Sequence, residues 1–206
     1  MTTPNDTYLT VCAQEGETPV YKEKGSRFLG YAFHVETSEA VQDILRELRA
    51  QHHAARHVCY AYRLGASGAV FRAGDDGEPS GTAGLPIYNQ LLSFRTTDTL
   101  VAVVRYFGGI LLGASGLVAA YKQAARMALE TSRIEERIVC RKLEVRFGYG
   151  QISAVMRLVK ERGLDLLEQD LREDCRIRVA VRASAAEAVR GTLEAIFGVK
   201  VSQEPD

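Results

Sequence analysis

The sequence lacks tryptophan, and it lacks a net charge: 26 Lys and Arg residues balance 26 Asp and Glu among 206. A neutral chain exerts no global pull on nucleic acid or on an anionic membrane, although it can still carry a local basic face. Long apolar runs are missing too. A helix needs about 20 mostly apolar residues to span a bilayer, and no stretch approaches that, so we expect no membrane association. Residues 1–17 show no basic segment followed by an apolar one, so we expect no secretory leader. Cysteine is scarce and scattered: Cys12, Cys59, Cys140 and Cys175 form no Cys-x-x-Cys pair and are too widely spread for a compact disulfide framework. That pattern predicts reduced thiols in a cytoplasmic protein.

What is present is ordinary globular composition, 46% hydrophobic and 25% charged. Glycine is uneven. More than half of the 18 glycines fall between Gly65 and Gly116, and clean strand alternation resumes at Cys140. This shift predicts two domains, 18–131 and 139–203, joined near residues 132–139 after a loose polar arm at the start. In the first, Ser26–Val35 alternates as a strand, and Ala40, Val41, Ile44, Leu45 and Leu48 follow at helical spacing behind Thr37 or Ser38. His57–Leu64 and Thr99–Tyr106 read as further strands. Residues 65–86 read as one long glycine-rich loop, Ile87–Phe94 as a short helix, and Leu117–Leu129 as a helix capped at Ser115. We expect a mixed sheet with that last helix on one face. The second domain reads strand–helix–strand–strand–helix–strand, the split βαβ order of a ferredoxin-like fold. The whole is α+β.

Two glycine segments carry the functional signal. One is Gly74–Gly84, with the acids Asp75, Asp76 and Glu78 and the hydroxyls Ser80 and Thr82. The other is Arg105–Gly116, a strand end leading into a helix start. Backbone N–H groups at Gly108, Gly109 or Gly116 could hold an anion, and Arg105 could add a bidentate phosphate contact. The alternative is a turn packed tightly on a sheet. Arg56 and His57 would extend the same face. Neither segment has the Lys-Ser/Thr ending of a P-loop or the spacing of a dinucleotide loop. His52, His53 and His57 lie close in sequence without a cysteine pair to complete a zinc set, so we expect neither metal nor cofactor. No nucleophile triad is visible. In the second domain Arg176, Arg178 and Arg182 recur with period two along one strand face. Such a row can contact RNA phosphates, or form a solvated surface.

Ala55-Arg56-His57, the run Gly74-Asp75-Asp76-Gly77-Glu78-Pro79-Ser80-Gly81-Thr82-Ala83-Gly84, and Val104-Arg105-Tyr106-Phe107-Gly108-Gly109-Ile110-Leu111-Leu112-Gly113 with Gly116-Leu117-Val118 and Ala120-Tyr121 resemble the YigZ/IMPACT family. The resemblance covers residues 18–130 and extends, as a pattern of elements, to the second domain. It implies a first domain like the second domain of a small-subunit ribosomal protein, an α/β sandwich. It implies a second domain like the last domain of elongation factor G. A eukaryotic member is a translational regulator, which implies contact with the ribosome, structured RNA or a translation factor. The residues themselves leave three readings open: a non-enzymatic RNA- or ribosome-binding protein, an enzyme acting on a small phosphorylated or carboxylated metabolite, and a protein–protein adaptor.

Overall fold

The computed structural model describes residues 6–172 and 174–203. The chain divides into two compact units. The first is Tyr8–Arg137; the second is made of the described residues from Ile138 onward together with Asp6 and Thr7. Among the described residues no helix is long and apolar enough to cross a membrane.

The first unit contains β1 (Thr7–Gln14), β2 (Val20–Glu23), β3 (Ser26–His34), α1 (Ser38–Gln51), β4 (His57–Leu64), β5 (Val70–Gly74), α2 (Gly84–Ser93), β6 (Thr99–Tyr106), α3 (Gly113–Glu130) and β7 (Ser132–Ile138). Five strands form one sheet in the order β2-β3-β6-β4-β5. The expected mixed sheet is instead antiparallel at every neighbouring pair. The reason is topological: α1 carries the chain from β3 to β4 on either side of a gap that β6 later fills, running opposite to both. The alternation then sorts the side chains. Phe28, Ala32, Cys59, Ala61, Val101 and Val103 pack against α2 and α3. Leu48 of α1 packs with Val58, Ala102 and Val104 on the other face. Thr37 caps α1 by accepting from the Ala40 N–H at 3.2 Å.

Three local expectations change. The segment before Thr18 is not a loose arm, because Val11 and Thr10 are buried and β1 pairs with β7. Ser132–Ile138, the expected junction, is therefore strand. The glycine-rich loop is shorter than 65–86, because β5 adds to β4 within it. Finally, α3 begins at Gly113 with Leu112 at its N-cap and no side-chain cap bond, so Ser115 lies inside the first turn.

The second unit contains β8 (Cys140–Gly148), α4 (Ile152–Glu161), β9 (Asp165–Asp170), β10 (Asp174–Arg182), α5 (Ala186–Glu194) and β11 (Lys200–Gln203), with strand order β11-β8-β10-β9. All three pairings are antiparallel. Val155 and Val159 of α4 and Val189 and Leu193 of α5 join Leu143, Val145, Ile177 and Val179 in one core. Both helices thus cover a single face, and the other face of the sheet is open.

Candidate functional site

The loop 75–83 is organised by its own acids. Asp75 accepts backbone N–H bonds from Gly81 at 2.9 Å, Ala83 at 3.0 Å and Gly84 at 2.8 Å. Ala83 is the N-cap of α2, so Asp75 places a carboxylate on the free donors at the positive end of that helix. Burial pushes the Asp75 carboxyl up, but the three donors outweigh it and hold the pKa below its ordinary value. The loop ends also meet closely: a Cβ on Gly84 would stand 2.7 Å from the Gly74 nitrogen. Asp75→Ala is expected to cost about 1–2 kcal/mol in urea unfolding. A depressed folded-state pKa contributes stability that is present above the unfolded pKa and is lost as pH falls through the folded one. The substitution should therefore flatten the acid limb of the stability profile, and an unchanged acid limb would contradict this role.

Asp76 and Gly77 both take positive φ, 47° and 85°. Asp76 Oδ2 accepts the Val58 N–H at 2.6 Å, and its Oδ1 forms an ion pair with Arg49 of α1. Its carbonyl lies 2.7 Å from His57 Nδ1. A carbonyl only accepts, so the proton is on Nδ1, and Nε2 faces Glu78 Oε1 at 3.8 Å.

Beneath the loop lies a buried polar cluster. Glu78 is 8% exposed and Arg105 5%, while Tyr121 is fully buried. Glu78 Oε1 accepts from Arg105 Nη1 at 2.5 Å and from the Tyr121 hydroxyl at 2.7 Å. The guanidinium lies against the rings of Phe28 and Phe107, 5.4 and 5.6 Å from their centroids. Cys59 donates its thiol to the Asp75 carbonyl at 3.0 Å. Burial pushes both the Cys59 thiol and the Tyr121 phenol up, and the nearby acids add to it, so both stay neutral.

Arg105, expected to contact phosphate, gives Nη1 to Glu78 and lies between two aromatic rings, while its Nε is buried with no hydrogen-bond partner among the described residues. The other expected residues divide. Arg56 is exposed, and its backbone N–H bonds the Arg105 carbonyl at 3.1 Å. Ser80 is exposed, while Thr82 is buried and gives its hydroxyl to the Pro79 carbonyl at 2.6 Å. The Gly108 N–H is taken by Ser26 Oγ at 3.2 Å. Gly109 has φ 88° and open space around it. Gly116 is the fourth residue of α3, where its N–H closes the first helical turn instead of facing an anion. The histidines separate as well, since His52 bonds the Tyr31 and Tyr106 hydroxyls at 2.8 and 2.9 Å. Among the described residues no three His, Cys, Asp or Glu side chains are placed to hold a metal.

The open face of the second unit carries the other candidates. Ile177, Val179 and Val181 point to the helices, so Arg176, Arg178 and Arg182 share the opposite face. Register then aligns side chains across strands: Lys200 stands opposite Arg146, Arg146 opposite Arg176, and Arg176 opposite Asp170. Arg146 and Arg176 share one acid, Glu144, at 2.7 and 3.5 Å. Asp170 is held by two bonds from Arg172, at 2.8 and 2.6 Å, which pull its pKa down to about 2. Lys200 forms no ion pair among the described residues. Arg178 pairs with Glu168 at 3.2 Å, and Arg182 is exposed at the far end opposite Cys140. Arg146, Arg176, Lys200, Asp170 and Asp174 border a shallow cavity of about 580 Å³.

Residues 24–129 match the Impact N-terminal domain. The chain belongs to the IMPACT family. It is 37% identical over 154 residues to the IMPACT family member YvyE of Bacillus subtilis, covering 75% of this chain and 70% of that one. It is 34% identical over 169 residues to the IMPACT family member YigZ of Escherichia coli, covering 81% and 83%. A crystal structure of a hypothetical protein superposes with a TM-score of 0.75 at 29% identity, over 98% of both chains.

The matched Impact segment contains the whole buried cluster, and the cation row lies outside it. Reading the sequence missed Tyr121 and Cys59 as parts of the cluster, Arg49 as the partner of Asp76, and Arg146 and Lys200 as parts of the row. For Tyr121 a signal existed: a lone phenol on the alanine-rich face of α3 needs a buried acceptor.

Proposed function

We propose that this IMPACT family protein binds structured RNA, in the ribosome or in a translation-factor complex, in the cytoplasm and without chemistry of its own. The family resemblance to a translational regulator supports an RNA- or translation-related role. On that resemblance we take the first unit as similar to a domain of a small-subunit ribosomal protein. We take the second as ferredoxin-like, similar to the last domain of elongation factor G. The observation that carries the reading is the row Lys200, Arg146, Arg176. Like charges directly opposite one another destabilise a sheet, and here three cations stand side by side on adjacent strands: Arg146 and Arg176 share Glu144, Lys200 has no ion pair among the described residues, and Asp170, opposite Arg176, is already held by two bonds from Arg172. Phosphate oxygens would complete the balance, with the two arginines able to bind them bidentately. A zero net charge fits a contact confined to one face rather than broad non-specific affinity. The enzyme reading would need Asp76, Glu78 and His57, which are already bonded to one another's segments and to Arg49 and Arg105.

The test is a titration of a labelled RNA hairpin, and of purified ribosomal subunits, with the full chain. Arg176→Ala is expected to weaken binding about tenfold, the loss of a charge-assisted contact, while Ser80→Ala leaves it unchanged. Full affinity in Arg176→Ala, or no binding by the parent protein at micromolar concentration, would overturn the reading.

A further inference from the structure

We propose that the free edge of β5 takes up an extended peptide segment of a partner protein as a sixth strand, with a carboxylate of that peptide set against Arg72. The inference rests on the first unit alone and is independent of the RNA reading.

The sheet ends at β5. Its pairing with β4 is regular from Leu64↔Val70 to Tyr60↔Gly74, so every second residue of β5 turns its N–H and C=O outward. Edge strands are usually blunted by proline, lysine or a bulge. The five-residue strand Val-Phe-Arg-Ala-Gly has no proline, lysine or bulge, its one charge is Arg72, and it is exposed from Val70 to Ala73. Its two faces present different chemistry. On the α2 side, Phe71 is 57% exposed and stacks on Tyr88 with ring centroids 4.9 Å apart. Leu85 and Leu92, also exposed, lie at helical spacing on either side of Tyr88. On the α1 side, Arg72 lies opposite Tyr62 at the outer rim of a cavity of about 460 Å³ that is also lined by Gln42, Arg46, Tyr60 and the α1 acids Glu39 and Asp43. A strand laid along β5 would therefore place alternate side chains over an apolar strip and into a groove beside α1.

Two observations choose the occupant. The unpaired backbone groups of an edge are matched by another strand, which a nucleic acid does not supply. Arg46 is paired with Asp43 and Arg49 with Asp76, whereas Arg72 forms no ion pair among the described residues. A carboxylate on the incoming strand answers it. A second copy of this chain answers it badly, because the symmetric antiparallel register of β5 sets Arg72 against Arg72.

The probe is a capped synthetic peptide alternating valine and glutamate, titrated into isotope-labelled full-length protein. Saturable shifts and slowed amide exchange confined to Val70–Gly74 and its surroundings are expected. Arg72→Glu should weaken binding about fivefold, the scale of a cross-strand charge pair, and a valine–lysine peptide should recover it. N-methylation of alternate peptide nitrogens should abolish binding. Arg176→Glu, in the other unit, should leave it unchanged. Absence of shifts in β5 at millimolar peptide, insensitivity to Arg72→Glu, or a concentration-dependent dimer formed through β5 without peptide would each overturn the proposal.

Discussion

Glu78→Ala is expected to destabilise the protein by about 3–5 kcal/mol, because it leaves a guanidinium buried without its counter-charge. The side chains of Arg105 and Glu78 are only 6% and 4% exposed, so water cannot replace the lost carboxylate cheaply. The Tyr121 hydroxyl loses its acceptor in the same step, and an unpaired buried donor adds its own penalty. Removing both charges is a different matter. Glu78→Leu combined with Arg105→Met should cost far less than the single change, since an apolar pair of similar volume requires no desolvation of ions. Urea unfolding of the two variants measures the difference. A single change costing under about 1 kcal/mol would mean that Arg105 does not depend on Glu78, and the cluster would then have to be held together for a ligand rather than for the fold.

Gly108→Ala is the second large effect. A Cβ there would fall inside the contact distance of the Gly25 carbonyl carbon and the Ser26 nitrogen, both backbone atoms. Neither can rotate away, so the turn after β6 and the turn before β3 must separate, and the Gly108–Ser26 hydrogen bond goes with them. We expect a loss of about 2–3 kcal/mol, the upper range for overpacking. Gly109→Ala provides the comparison. Its surroundings are open, but φ is 88°, so the left-handed backbone alone should cost about 1–2 kcal/mol. Thermal melting that ranks Gly109→Ala as the more damaging change would contradict the packing seen here.

Periodicity made most of the fold legible where an element's own side chains meet a core. The alternation of β3 and β4, the stripe of α1 and the alanine face of α3 are each visible locally because each buries its own residues. Three strands escaped for the opposite reason: β1 and β7, which pair with each other, and β5. β1 gains its order from distant partners, with the Thr10 hydroxyl near His34 Nδ1 at 2.9 Å and donating to the Asp98 carbonyl at 3.1 Å. β5 is exposed on both faces and is a strand because β4 offers it a ladder, which no pattern within Val70–Gly74 records.

The candidate site divides in the same way. The sequence brought Glu78, Arg105 and His57 to one face, but it could not say whether opposite charges there serve a ligand or cancel one another. In the structure Arg105 and Glu78 cancel. Along β10 the period of two exposed Arg176, Arg178 and Arg182 together. Arg146 and Lys200 were invisible because their alignment depends on register between strands, which is set by the whole sheet.

The central claim is that the cation row of the second unit contacts RNA phosphates, and salt dependence tests it most directly. Each phosphate contact contributes about 0.7–0.9 to the slope of log K against log salt. Binding of a structured RNA is measured across a salt series for the parent protein and for the variant combining Arg146→Ala, Arg176→Ala and Lys200→Ala. The account predicts a slope shallower by about 2–3 in the variant, with weaker binding at low salt. A variant that keeps both the slope and the affinity of the parent would contradict it.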